Sequence, residues 1–217
     1  MFRGFDKDAI AFLHELTIEM NREWFEANKE RYKRVWVEPL TELLDAVAAK
    51  LAKTYAPVKL VPHVFRIYRD TRFSKDKAPY KTHVAGVLRA GNAGSGMYFH
   101  VETGEEWVGA GTYYFEDDKL GKWRRLVAAE KTGKEIAGIV ARLRKAGYEV
   151  GGHDDYKKVP KPYPADHSRA EFLQMKGLTA AFPQMPKGML HRAELVAWIV
   201  DHATRVAPMV KWLSKVR

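Results

Sequence analysis

The amino-acid sequence predicts an α+β fold: an antiparallel β-meander of about four to five strands flanked by N-terminal and C-terminal helices. Three observations carry this. Apolar residues recur at helical spacing through the first quarter of the chain. They switch to short alternating aromatic and β-branched runs between His63 and Phe115, and helical spacing returns from about 119 onwards. Brief turn-like connections separate the alternating runs, which favours antiparallel neighbours because parallel strands need long crossovers. No repeat, linker or compositional break divides the chain, so one domain spanning 1–217 is expected.

Each element has its own warrant. Asp6 or Asp8 can cap a first helix whose apolar stripe is Ile10, Leu13, Leu16 and Met20. Asn21 can cap a second, with Trp24, Phe25, Tyr32, Val35 and Trp36 at helical spacing. Pro39 stands near the start of a third, in which Leu40, Leu43, Leu44, Val47 and Leu51 recur. Pro57 and Pro62 punctuate its end. Strands are expected at about 63–70, 82–89, 96–103 and 106–115, the middle pair joined by Gly91-Asn92-Ala93-Gly94-Ser95-Gly96 and the last pair by Thr103-Gly104-Glu105. Helices follow at about 119–131 and 134–146, with Gly147 as a C-terminal stop. A short strand at Tyr148–Val150 would supply the fifth. Ser168 and Glu171 have capping-box spacing, and a last helix is expected from near His191, restarted or kinked at Pro208.

Composition excludes several function classes. With no cysteine among 217 residues, disulfides, thiolate metal sites and cysteine nucleophiles are absent, which fits a reducing compartment. The N-terminus lacks the apolar segment of a signal peptide, and no apolar run approaches the roughly 18 residues of a membrane span. A cytoplasmic protein with no membrane partner is therefore expected. Net charge is +10, and it is unevenly placed: residues 63–100 carry 7 cations against 2 carboxylates, and residues 156–217 carry 11 against 4. Such blocks suit anionic partners, or simply a solvated surface.

The densest segment is Phe65–Lys81, with six cations, two carboxylates and four aromatic rings in seventeen residues. As a strand it would send Phe65 and Ile67 toward the core and Arg66 with Tyr68 to the other face. Guanidinium forks suit phosphate and carboxylate geometry, and ammonium groups add point charge. The candidate ligand-binding residues are Arg66, Tyr68, Arg69, Asp70, Arg72, Lys75, Lys77, Tyr80 and Lys81. Three readings fit: an anionic small molecule bound here, a nucleic acid bound across both basic blocks, or a loop whose charges only brace the sheet.

This run, with Asn21-Arg22-Glu23-Trp24-Phe25 before it, resembles the signature of a family of conserved hypothetical proteins of bacteria and fungi, domain of unknown function 2461. The resemblance spans nearly the whole chain. It extends to a Gly-x-Gly strand met by Gly109 and Gly111, an arginine in the next helix met by Arg125, and the pairs Pro160-Lys161 and Asp166-His167. Pro162 stands where the family commonly has glycine. The resemblance implies no activity and transfers no catalytic residues.

Other chemistry finds less support. Gly91, Gly94 and Gly96 precede a strand, whereas a dinucleotide loop must open a helix. Neither a phosphate-loop lysine motif nor a nucleophile-elbow serine is present. No metal site and no cofactor are expected: neither HExxH nor a histidine-rich facial triad occurs, and His63, His83 and His100 read as structural groups on strands. Asp70 and Asp76 sit among cations that keep them ionised, and Tyr68, Tyr80 or His83 could move a proton, but no catalytic set emerges. The residues leave enzyme activity, ligand and oligomeric state open.

Overall fold

Asp6 and Asn21 cap as their sequence positions suggest. In the computed structural model, which describes residues 1–91 and 94–216, Asp6 accepts from the Asp8 amide at 2.8 Å and opens α1 (Lys7–Glu19). Asn21 accepts from the Trp24 amide at 2.9 Å and opens α2 (Arg22–Ala27). Next come α3 (Lys29–Tyr32), a π-helical turn (Lys33–Val37) and α4 (Glu38–Tyr55), with Pro39 in the first turn of α4. Trp36, carried by the π-helical turn, is fully buried and donates its indole N–H to the Ala9 carbonyl at 2.8 Å, pinning this run to α1.

The meander follows as β1 (Leu60–Val64), β2 (His83–Ala90), β3 (Ser95–Glu102) and β4 (Glu105–Thr112). Glu102 faces Glu105 across the Thr103-Gly104 turn, where Gly104 takes φ +84° as a hairpin corner requires. The connection between β2 and β3 includes Asn92 and Ala93, which lie outside the described residues. Then come α5 (Asp117–Ala128), α6 (Glu130–Lys145) ending at Gly147 with φ +86°, β5 (Glu149–Gly151), α7 (Ala170–Gln174), β6 (Leu178–Ala181), a 3₁₀ turn (Met189–His191) and α8 (Leu195–Leu213). All neighbours in the six-stranded sheet are antiparallel, in the order β1-β2-β3-β4-β6-β5.

Four expectations change. β1 occupies 60–64 rather than about 63–70. Phe65 still donates to the Ala85 carbonyl at 3.0 Å, but the chain then leaves the sheet, and only a single bridge joins Tyr68 to Tyr80. Asp70 and Asp76 bond amides two residues ahead of them, which turns this charged stretch into a loop instead of a ladder. β6 was not expected, because Leu178–Ala181 is too short to show alternation. Ser168 caps nothing: α7 begins after Arg169, and Glu171 instead pairs with Arg144. Finally, α8 starts at Leu195 and runs through Pro208 without restarting.

The core lies on one side of the sheet. α4 packs on β1 and β2, and α8 on β3 and β4. Val84, Leu88, Met97, Phe99, Val101, Val108 and Ala110 are buried beneath them. Trp123 of α5 is fully buried, donates to the Phe172 carbonyl at 2.9 Å, and meets Trp212 of α8 edge-on. Every second strand residue points the other way, toward a face without a helical cover.

Candidate functional site

The uncovered face is built by period-two alternation. In register across β2, β3 and β4, Ala85 faces His100, Val87 faces Tyr98, His83 faces Glu102 and Trp107 faces His100. Each of these shares a face with Phe65 and His63 at the β1 edge. The rings touch in a ladder. Phe65 meets Tyr98 with centroids 6.0 Å apart, Tyr98 meets Trp107 at 5.2 Å, Trp107 lies nearly parallel to His100 at 5.1 Å, and His100 meets His83 at 4.6 Å. Trp107 keeps 39% of its surface exposed, a large value for an indole on a strand. Gly109 and Gly111 leave the floor beside Trp107 free of side chains. At Gly111, φ +140° and a strand carbonyl, Leu178 O, 2.2 Å from where a Cβ would stand admit only glycine.

The basic run borders this face, and its charges divide into two groups. Arg72 clamps Asp70 with bonds of 3.0 and 2.7 Å, Arg69 pairs with Asp76, and the Lys77 ammonium donates to the Thr71 carbonyl at 2.9 Å. Bonding to Arg72 holds the Asp70 carboxyl below the usual carboxylate range, and bonding to Arg69 does the same for Asp76. These charges close the loop on itself. Lys75 is exposed and makes no ion pair among the described residues. Tyr80 is buried, stacked on Phe25 at 4.3 Å, and Tyr68 leans on the same two rings with 40% of its surface exposed. The Asn21–Phe25 segment and the basic run therefore form one packed unit. Tyr80 is its anchor, not a surface group.

Arg66 and Lys81 form the second group. The Lys81 ammonium donates to the Arg66 carbonyl at 3.0 Å and sits 5.8 Å from the centre of the Phe65 ring. Burial lowers the pKa of Lys81, and the nearby Arg66 charge lowers it further. Neither cation makes an ion pair with a carboxylate among the described residues, though Asp70 lies within electrostatic reach of Arg66, and this corner carries two adjacent positive charges beside the half-buried Phe65 ring. The 152–177 loop of the second basic block lies elsewhere. It leaves the sheet from β5 and re-enters at β6, at the far edge and at the opposite strand ends, while α8 lies in the helical layer.

Along the ladder, burial lowers the pKa of His83, reinforced by His100 and Lys81, and lowers that of His100 against the opposing pull of Glu102 and Glu105. Both imidazoles are therefore neutral near pH 7. His100 Nδ1 is buried without a hydrogen-bond partner. One ring nitrogen each of His83 and His100 and a carboxylate oxygen of Glu102 lie within 4.8 Å of one another. Register assembles this group from distant positions, so it could not be seen in linear order. Two recesses lie elsewhere: ≈ 400 Å³ between the end of α4 and β1, and ≈ 470 Å³ around β5. The ladder is an open platform.

Among the sequence candidates, Arg66 and Lys81 lie beside Phe65 at the rim of this platform, Tyr68 and Tyr80 pack with Phe25 away from the ladder, Arg69, Asp70, Arg72 and Lys77 satisfy one another or the loop backbone, and Lys75 is exposed. Tyr98 and Trp107 were missed by sequence reasoning. The available signal was the spacing Tyr98-x-His100-x-Glu102, three polar or aromatic groups on one face of a strand whose other face is apolar.

Fold and face together define a class: a two-layer α+β protein with helices on one side of a six-stranded antiparallel sheet and a ring-lined platform on the other. Within it, the chain belongs to the family described as conserved hypothetical protein (DUF2461), whose family model matches residues 8–212 of the 217. A search of curated proteins found no match.

Proposed function

We propose that this protein binds a ligand that joins a flat ring to a phosphate or carboxylate, at the corner where Arg66 and Lys81 meet the Phe65–Tyr98–Trp107 ladder. The observation that carries this reading is the pair of neighbouring cations without a carboxylate partner. Like charges held together lower each other's affinity for protons, and an anion placed between them removes that cost. The adjoining rings supply a stacking surface, worth about 1–3 kcal/mol for a nucleobase. Arg69, Asp70, Arg72 and Lys77 act as the frame that holds the corner in place.

A second reading, single-stranded nucleic acid, is favoured by the extent of the ladder across β1 to β4, since four-stranded sheets can stack successive bases on exposed rings. Calorimetric titration with inorganic phosphate, nucleoside monophosphates and a short single-stranded oligonucleotide, each at two salt concentrations, separates the readings. The leading one expects a nucleotide to bind more tightly than phosphate, with modest salt dependence and with loss on Tyr98→Ala or Arg66→Ala. An oligonucleotide that alone binds, with affinity falling steeply in salt, would move the assignment to the polymer. No heat with any of the three would overturn both.

A further inference from the structure

We propose that His83, His100 and Glu102 form a binding site for one first-row divalent metal ion of the zinc(II) class, with open coordination positions facing the solvent side of the sheet. The inference rests on residues other than the Arg66–Lys81 corner and stands or falls separately from it.

The backbone places the three donors. His83 and Glu102 are directly opposed across β2 and β3, and His100 precedes Glu102 by two residues on the same strand face. Their ligand atoms lie within 4.8 Å of one another, with His100 Nε2 at 3.9 Å from a Glu102 oxygen. Donors bound at about 2.0–2.2 Å around one ion stand roughly 3–3.5 Å apart. Side-chain rotations that draw the three together by about 1 Å meet that requirement without moving either strand. Rigid neighbouring strands are a favourable base for such a set, because the register fixes which side chains converge.

The donor chemistry agrees. Two imidazoles and one carboxylate are a ligand set used by catalytic zinc sites and by mononuclear iron(II) sites, which keep further positions for water or substrate. His83 and His100 each present one ring nitrogen toward the Glu102 carboxylate. Among the described residues Glu102 makes no ion pair with a lysine or arginine, and the His100 ring nitrogen is its near neighbour at 3.9 Å. Glu105, opposite Glu102 in the β3–β4 hairpin, adds a second carboxylate within electrostatic reach of His100.

A purely packed ladder would account for the ring contacts of His83, His100 and Trp107. It gives no role to the two imidazole nitrogens and the carboxylate oxygen that lie within 4.8 Å of one another on the open face, nor to the unpartnered His100 Nδ1. An ion held between the three donors would give them one.

The test is zinc(II) titration by calorimetry of chelator-treated, full-length protein, repeated with His83→Gln, His100→Gln, Glu102→Gln and, as a control on the same face, His63→Gln. The expected result is one equivalent of zinc bound by the native chain and by the His63 variant, with affinity reduced about tenfold or more in the other three. Circular dichroism checks that each variant is folded. Should a histidine variant not fold, Glu102→Gln changes a half-buried group by one near-isosteric atom and carries the test. Histidine side-chain NMR of the native protein carries it independently, with zinc-induced changes expected at His83 and His100. Absence of zinc uptake at micromolar concentration, uptake unaffected by all folded variants, or NMR changes at other histidines would each overturn the site.

Discussion

The two faces of the sheet are made by the same strands and have opposite fates. Along β3, Met97, Phe99 and Val101 are buried beneath α8 and its neighbours, while the alternating Tyr98, His100 and Glu102 keep partial exposure on the other side. The helix-covered face uses aliphatic and aromatic bulk whose value is packing. The open face uses rings and titratable groups, and spends glycine at 109 and 111 where a packed face would place a β-branched residue.

This comparison can be broken most directly by paired truncations in β2. Leu88 is fully buried under the helices, and Leu88→Ala should cost about 2–5 kcal/mol in urea unfolding. Its neighbour Val87 faces outward, and Val87→Ala should cost under about 1 kcal/mol. Equal losses would mean that the outer face is as closely packed as the inner. Gly111→Ala should be the exception on the open face, at about 2 kcal/mol or more, because its φ of +140° and the Leu178 carbonyl both oppose a side chain. Trp107→Ala should leave the unfolding midpoint little changed while reducing nucleotide binding; the opposite pattern would make Trp107 a packing residue.

A smaller effect sharpens the contrast from the helical side. His202 of α8 bonds the Tyr148 hydroxyl at 2.7 Å and is ringed by Phe182 and Trp198. Burial lowers its pKa below the ordinary 6.5, with Asp201 opposing and Arg205 assisting. The unfolded chain therefore binds more protons between the folded pKa and 6.5, so this contribution is complete above about pH 6.5 and declines as pH falls through that window. Denaturation measured across pH 5–8 should show the decline in metal-free protein, and His202→Gln should reduce it, leaving the part that His83 and His100 contribute. The smallest expected effect is that of Arg72→Ala. Its ion pair with Asp70 is solvent-exposed and screened, so thermal unfolding should barely shift and ligand binding should persist.

Much of the fold was legible because it depends on short-range chemistry. Asp6 and Asn21 cap where a side-chain oxygen precedes an apolar stripe, and Gly104 and Gly147 sit where the backbone must take positive φ. The basic run was legible as a feature but not as an arrangement. Its alternation suggested a strand through Asp70, whereas the carboxylates fold the chain back on itself and spend most of the cations on it. The candidate platform was the least legible part. His83, His100 and Trp107 are separated by seven to seventeen residues, and only the exact register of three strands brings them into contact. β6 was hidden for a similar reason: four small residues become a strand because β4 and β5 both pair with them.

The ends of the sheet bear on how this protein meets others. β1 carries Pro62, which has no amide hydrogen to offer an incoming strand, and β5 is only three residues long. Neither border offers the long, regular row of donors and acceptors that strand-by-strand growth requires. Fibrous assembly and peptide capture by strand addition are thereby discouraged at both margins. The broad side of the sheet differs from both margins, because it presents ring faces and charged groups and no free row of backbone donors.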